Sequence, residues 1–196
     1  MDHAISSFAF DLTRLHRRTV TSFYSNLVTR PTGQAVRMGV ESQLMELEGN
    51  RGICLSVLDF TQVMVLDYSC ADEIVAKLLL RYVVGDRPAE AFFIARGLQD
   101  HHREAIEAVL ERHDLRLVAH EADSDPHLLG PTDPVERACW SSLITLGRAG
   151  AGDVAARTGL PESTAAATLA RMARHRIVVP VGSDVFATIA SLAGSR

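Results

Sequence analysis

The sequence predicts an α/β domain followed by a small helical unit that closes with a β-hairpin. Three observations carry that expectation. Short apolar runs, ICLSVLDF at Ile53–Phe60, AFFIARG at Ala91–Gly97 and LRLVAH at Leu115–His120, read as buried strands. Between them, apolar residues recur three and four positions apart, as on one face of a helix. Beyond Pro134 the pattern changes to short helices with a single turn-linked pair of strands at the end.

The first thirty residues are ambiguous: FAFDL reads as an edge strand and Leu12–Leu27 as a helix. Val36, Val40, Leu44 and Leu47 then mark a helical face, starting at Thr32 or Gly33 just after Pro31. Ile53–Phe60 follows as a strand, with VMVLDY as a further strand after a short turn. Ala71, Ile74, Val75, Leu78, Leu79 and Tyr82 form a second helical stripe, ended by Gly85, Asp86 and Pro88. Ala105, Ile106, Val109 and Leu110 place a third helix before the last strand. Helices alternating with buried strands imply crossovers and a mostly parallel sheet.

EADSDPHLLGPTDP, Glu121 to Pro134, holds three prolines, a glycine and four acids. It reads as a linker, giving an α/β domain over 1–122, a connection over 123–134 and a second domain over 135–196. PVERACWSSLITLG begins with Pro at its first turn, as helices tolerate. AGDVAARTG is a short helix closed by Gly159, and LPESTAAATLARMARHR is a longer one. RIVVPVGSDVFATI reads as a hairpin turning at Gly182-Ser183-Asp184.

Composition narrows the function classes. The net charge of −4 excludes a chain that binds nucleic acid by charge alone. The charge is uneven: from Pro134 onward seven Arg face four acids, while the remainder is acidic. Cys54, Cys70 and Cys139 show no C-x-x-C pair, so neither a disulfide framework nor a zinc site is expected. No cofactor motif is present: there is no phosphate-binding glycine loop and no nucleophile elbow. The N-terminus lacks a basic segment leading into an apolar run, and no stretch of 18 apolar residues exists. A cytoplasmic protein without a membrane span is therefore expected.

The densest group of reactive side chains is LDYSCADEIVAKLL, Leu66–Leu79. Its plain explanation is a helix start: Ser69 as the N-cap, with Asp72 and Glu73 complementing the helix dipole. The same geometry would expose Ser69 to a kinase, and a phosphate there would add charge beside Asp67, Asp72 and Glu73. Arg30, Thr32 and Arg37, around another helix start, are candidate anion ligands. Cys70 has no histidine tied to it by spacing, so a thiol nucleophile is not expected.

VLDFTQVMVLDYSCADEIVAKLL resembles the core of the STAS domain, the sulphate-transporter and anti-sigma-factor-antagonist fold. On that resemblance Asp59 and Asp67 match the two strand-end acids and Ser69 the phosphorylated position. Cys70-Ala71-Asp72 stands where the resemblance leads one to expect residues of the Gly-Leu-Gly type. Ala71-Asp72-Glu73 is similar to a STAS-like bacterial variant in which Ala-Asp-Glu opens the helix. The resemblance spans roughly Pro31 to His120. It implies a non-enzymatic regulatory protein whose partner is a histidine-kinase-like ATPase or an anti-sigma factor, with Ser69 as the switch and Asp67, Asp72 and Glu73 as docking residues.

DVAARTGLPESTAAATLARMARHRIVVPV resembles the winged helix-turn-helix of bacterial transcription regulators. That resemblance implies that the longer helix enters a DNA groove, with Ser163, Thr168, Arg171, Arg174 and Arg176 as candidate contacts. The reading end has no Arg, Lys, Asn or Gln, the side chains suited to base edges, so a protein partner or a homodimer is an equal expectation. The alternative function is a transcription regulator whose STAS-like domain senses a small anionic ligand or nucleotide near Arg30, Thr32 and Ser69.

Overall fold

The computed structural model describes residues 15–46, 53–84, 87, 90–121 and 124–190. The chain begins with β1 (Leu15–Leu27), α1 (Arg30–Glu46) and β2 (Ile53–Leu66). Then α2 (Tyr68–Ala71), a π-helical run (Asp72–Lys77) and α3 (Leu78–Val83) continue one another without a break. β3 (Ala91–Arg96), α4 (Asp100–Arg112), β4 (Leu117–Ala119) and β5 (His127–Leu129) complete a five-stranded mixed sheet. The rest is α5 (Pro134–Leu146), β6 (Arg148–Gly150), α6 (Ala151–Thr158), α7 (Glu162–Arg174), β7 (Val178–Pro180) and β8 (Val185–Thr188). No helix among the described residues is long and apolar enough to cross a membrane.

The large sheet runs β1-β2-β3-β4-β5 in chain order, parallel except for β5. Parallel neighbours in chain order, joined by right-handed crossovers, place every crossover helix on the same face. Residues of β2 and β3 therefore alternate between two cores. Cys54, Leu58, Phe93 and Ala95 meet α1, the π-helical run and α4. Leu55, Val57, Phe92 and Ile94 turn the other way and meet Trp140, Leu143, Leu169, Met172 and Ile177 from the C-terminal elements.

Those elements thus cover the face that the crossovers leave open. Arg176 bolts them down. It is 8% exposed and its φ is +58°. Its guanidinium donates to the Ala91 carbonyl at 2.7 Å and to Glu90 at 2.9 Å, and lies 4.1 Å from the Phe92 ring centre. β4 reaches only Ile94 and Ala95 along β3, so the Ala91 carbonyl takes this donor from outside the sheet. Fully buried Glu136 adds a second tie, with Arg116 Nε 3.4 Å and Arg171 3.9 Å from its carboxylate.

Several expectations need correction. The described part of the expected helix Leu12–Leu27 is the edge strand β1, paired parallel with β2. Its β-branched and aromatic residues suit a pleated surface, and that preference outweighs the loose helical spacing. The expected strand FAFDL lies outside the described residues. Ile53–Phe60 and the first four residues of VMVLDY are one strand ending at Leu66, because irregularities in the β1–β2 register absorb the supposed turn, while Asp67 and Tyr68 belong to the helix start. Part of the expected connection 123–134 forms β5, paired antiparallel with β4. Strand β6, not anticipated, joins β8 and β7 in a second sheet of order β6-β8-β7.

Candidate functional site

The site is built where β2 ends and the helix begins. Asp67, not Ser69, is the N-cap: its carboxylate accepts from the Cys70 backbone N–H at 2.8 Å. Asp67 stands in extended conformation directly before the first helical residue, as a cap must. Ser69 lies within the first turn and donates its hydroxyl to the same Asp67 oxygen at 2.9 Å. It is half-buried, beside Tyr68 at 42% exposure.

Asp72 and Glu73 face inward. They are 5% and 3% exposed and open the π-helical run. Arg30 donates to Asp72 at 2.9 Å and to Glu73 at 2.8 Å. Lys77 pairs with Glu73 through a short contact, and His113 lies 3.0 Å from Asp72. Arg37 adds a 3.5 Å pairing with Glu73 and a 2.7 Å bond to Glu41. Burial pushes both carboxyls up. At Asp72, hydrogen bonds from Arg30 and His113 outweigh that push and hold the pKa below the usual carboxylate range. At Glu73, bonds from Lys77 and Arg30 do the same. The two carboxylates thus stay charged and internally neutralised.

A close backbone approach makes this possible. A Cβ on Gly33 would lie 3.0 Å from both the Cys70 Cα and the Glu73 Cβ. Glycine there lets α1 lie against the helix start, which brings Arg30 and Arg37 within reach of the acids. Cys70 is fully buried and its thiol donates to the Thr29 carbonyl at 2.9 Å. Burial and the Asp67 charge raise its pKa, opposite to what a thiolate nucleophile requires.

The candidate anion ligands are thereby engaged within the fold. Arg30 and Arg37 serve the two acids, and the Thr32 hydroxyl bonds Thr29 at 2.8 Å. Among the candidate DNA contacts, Thr168 and Arg176 are buried and present nothing to a groove. Arg171 is paired with Asp133 at 2.8 Å. Ser163 and Arg174 are exposed. A shallow cleft of about 490 Å³ runs between α5 and α7, lined by Asp133, Val135, Ser163, Ala167 and Arg171.

Two partners of the acids escaped the sequence reading. Lys77 carried a usable signal, because Glu73 and Lys77 are four residues apart on a helix. His113 carried none, since it comes from the end of α4. A second ionic group closes the sheet's outer end: Arg96 donates to Asp59 at 2.7 Å, and Glu121 accepts from the Gly97 and Leu98 amides. Around the Asp67 turn, Val28, Met64, Val65 and Tyr68 stand exposed at one corner, drawn together by β1–β2 pairing and the Asp67 N–H to Leu27 bond. Neither protein-family models, nor curated proteins, nor solved structures match this chain.

Proposed function

We propose that this chain is a non-enzymatic bacterial regulatory protein that binds a protein partner through the corner around Ser69. One observation carries the reading. Exposed apolar side chains, Val28, Met64, Val65 and Tyr68, flank the half-buried Ser69 hydroxyl, while the acids behind it are neutralised within the fold. Exposed apolar residues gathered in one place mark an interaction site. The STAS-like resemblance supplies the class of partner, a histidine-kinase-like ATPase or an anti-sigma factor. Phosphorylation of Ser69 would replace its hydroxyl bond to Asp67 with a dianion beside that carboxylate, and the repulsion would open the turn.

The C-terminal order α5-β6-α6-α7-β7-β8 supports the winged-helix reading. With Thr168 and Arg176 buried, Arg171 paired and Asp184 at the hairpin turn, its chemistry supports a protein contact over a DNA contact.

Photocrosslinking in the native host tests the corner. A photoreactive residue in place of Tyr68 should capture one partner, and the same residue at exposed Arg148 should not. Ser69→Ala should keep the adduct and Ser69→Asp should lose it. Equal capture by both serine variants would refute the switch, and no adduct from position 68 would refute the docking corner. Binding of duplex DNA at low salt, weakened by Arg174→Ala with a reduced salt slope, would reassign the C-terminal unit to DNA.

A further inference from the structure

The cleft between α5 and α7 holds polar groups that the fold leaves unused. One wall is a strip of α7: Ser163, Thr164, Ala167, Thr168 and Arg171. Thr168 is only 4% exposed, yet its hydroxyl makes no hydrogen bond among the described residues. The hydroxyls of Ser163 and Thr164 make none either. Thr145 on α5 and Thr158 on α6 instead donate to the carbonyl four residues back. A buried hydroxyl without a partner is unfavourable, and one that borders a cleft is a ready ligand group. At the α5 end of the strip, Asp133 and Arg171 meet at 2.8 Å with side chains 48% and 37% exposed. Asp133 gives one oxygen to the Glu136 amide and the other to Arg171. Arg171 uses a single nitrogen in that bond. Behind the pair, buried Glu136 has Arg116 at 3.4 Å. The charges thus balance, Asp133 with Arg171 and Glu136 with Arg116. Such a site favours neither a simple anion nor a simple cation, but it presents both signs side by side.

We propose that this cleft binds a free α-amino acid with a large apolar side chain. A zwitterion brings no net charge and lies head to tail along the ion pair. Its carboxylate takes the Arg171 nitrogen that Asp133 leaves open, and its ammonium takes the spare lone pairs of Asp133. The α7 hydroxyls complete the hydrogen bonds to the carboxylate, with Thr168 as the buried one. The side chain rests on Pro134, Val135 and Ala167. Inside a partner's polypeptide those two charges do not sit on one carbon, which favours a free amino acid over a protein surface. The volume of about 490 Å³ is in the usual range for small-ligand sites. A shallow cleft covers only part of its ligand, so the dissociation constant falls at about 0.1–5 mM. The site is separate from the corner around Ser69 and does not depend on it.

Titration of the full chain with L-leucine to about 20 mM, followed by amide NMR, tests this. The amide resonances of Ala167, Thr168 and Arg171 should shift and saturate. Two analogues separate the charges: 4-methylpentanoate lacks the ammonium and isopentylamine lacks the carboxylate. Each should bind at least about ten-fold more weakly than leucine. Thr168→Val keeps the side-chain shape and removes an unpartnered hydroxyl. It should weaken leucine binding about five-fold without lowering the melting temperature. Ala167→Trp fills the cleft from an exposed position and should abolish binding in a folded protein. No saturable shift by about 20 mM, equal affinity for leucine and both analogues, or binding that survives both variants unchanged would overturn the proposal.

Discussion

Replacing Arg176 tests whether the C-terminal elements are locked to the sheet. Arg176→Ala removes the donor to the Ala91 carbonyl and one of the two arginine partners of Glu90, which keeps Arg87, and strips the cation from the Phe92 ring. Ala91 is fully buried, so its carbonyl would lose a donor that water does not readily replace. Leaving a buried carbonyl without its donor costs about 1–3 kcal/mol, while Glu90, with its side chain 31% exposed, keeps Arg87 and adds little. The backbone adds a second, separable effect. At φ +58° a side chain is strained and glycine is not. Arg176→Gly removes the same contacts but relieves about 1 kcal/mol of strain. The expected order of stability is wild type, then Gly, then Ala, with the Ala variant about 2 kcal/mol down. Urea unfolding at neutral pH reads this directly, and in heat the loss corresponds to roughly 4–8 °C. A loss below about 1 kcal/mol for the Ala variant would refute the bolt, that being the range of an exposed pair. A Gly variant less stable than the Ala variant would refute the backbone argument.

Three further outcomes follow from the acid cluster and its surroundings. Asp72 and Glu73 have pKa values below those of unfolded carboxyls, about 3.9 and 4.3. Their contribution is therefore complete above about pH 5 and is lost as pH falls through the folded values, so urea stability should drop on acidification. Asp72→Asn with Glu73→Gln should flatten that drop. Gly33→Ala places a methyl 3.0 Å from the Cys70 Cα and should cost about 1–3 kcal/mol by urea unfolding. A thiol reagent at neutral pH should find Cys54, Cys70 and Cys139 unreactive until denaturant is added; rapid labelling of Cys70 in the folded protein would contradict its burial and raised pKa.

The α/β character was legible because the buried strands are continuous apolar runs and the helices between them carry regular stripes. Ala71, Ile74, Val75, Leu78, Leu79 and Tyr82 are all buried, as their spacing predicts. The site was legible only as a place. Three polar residues within the span Asp67–Asp72 compete for the cap, and composition does not show that Asp67 reaches the Cys70 amide while Ser69 donates to Asp67. Nor does local sequence show that Asp72 and Glu73 turn inward. That depends on Arg30 and His113, which lie 42 and 41 positions away from Asp72. The length of β2 was missed because its outer half alternates poorly: Met64 and Val65 are both exposed. The role of Arg176 had no local signature, since its hydrogen-bond partners precede it by 85 and 86 positions.

The one-sided winding of the sheet has a consequence for synthesis. When residue 121 leaves the ribosome, every crossover helix is available, yet Leu55, Val57, Phe92 and Ile94 still face water. Their cover lies in the next 60 or so residues, which take on the order of 3–12 s to translate. During that interval the nascent chain carries a greasy, half-finished plane. A fragment ended before Pro134 would carry the same plane permanently, and it should associate with itself or with a chaperone instead of persisting as a soluble domain.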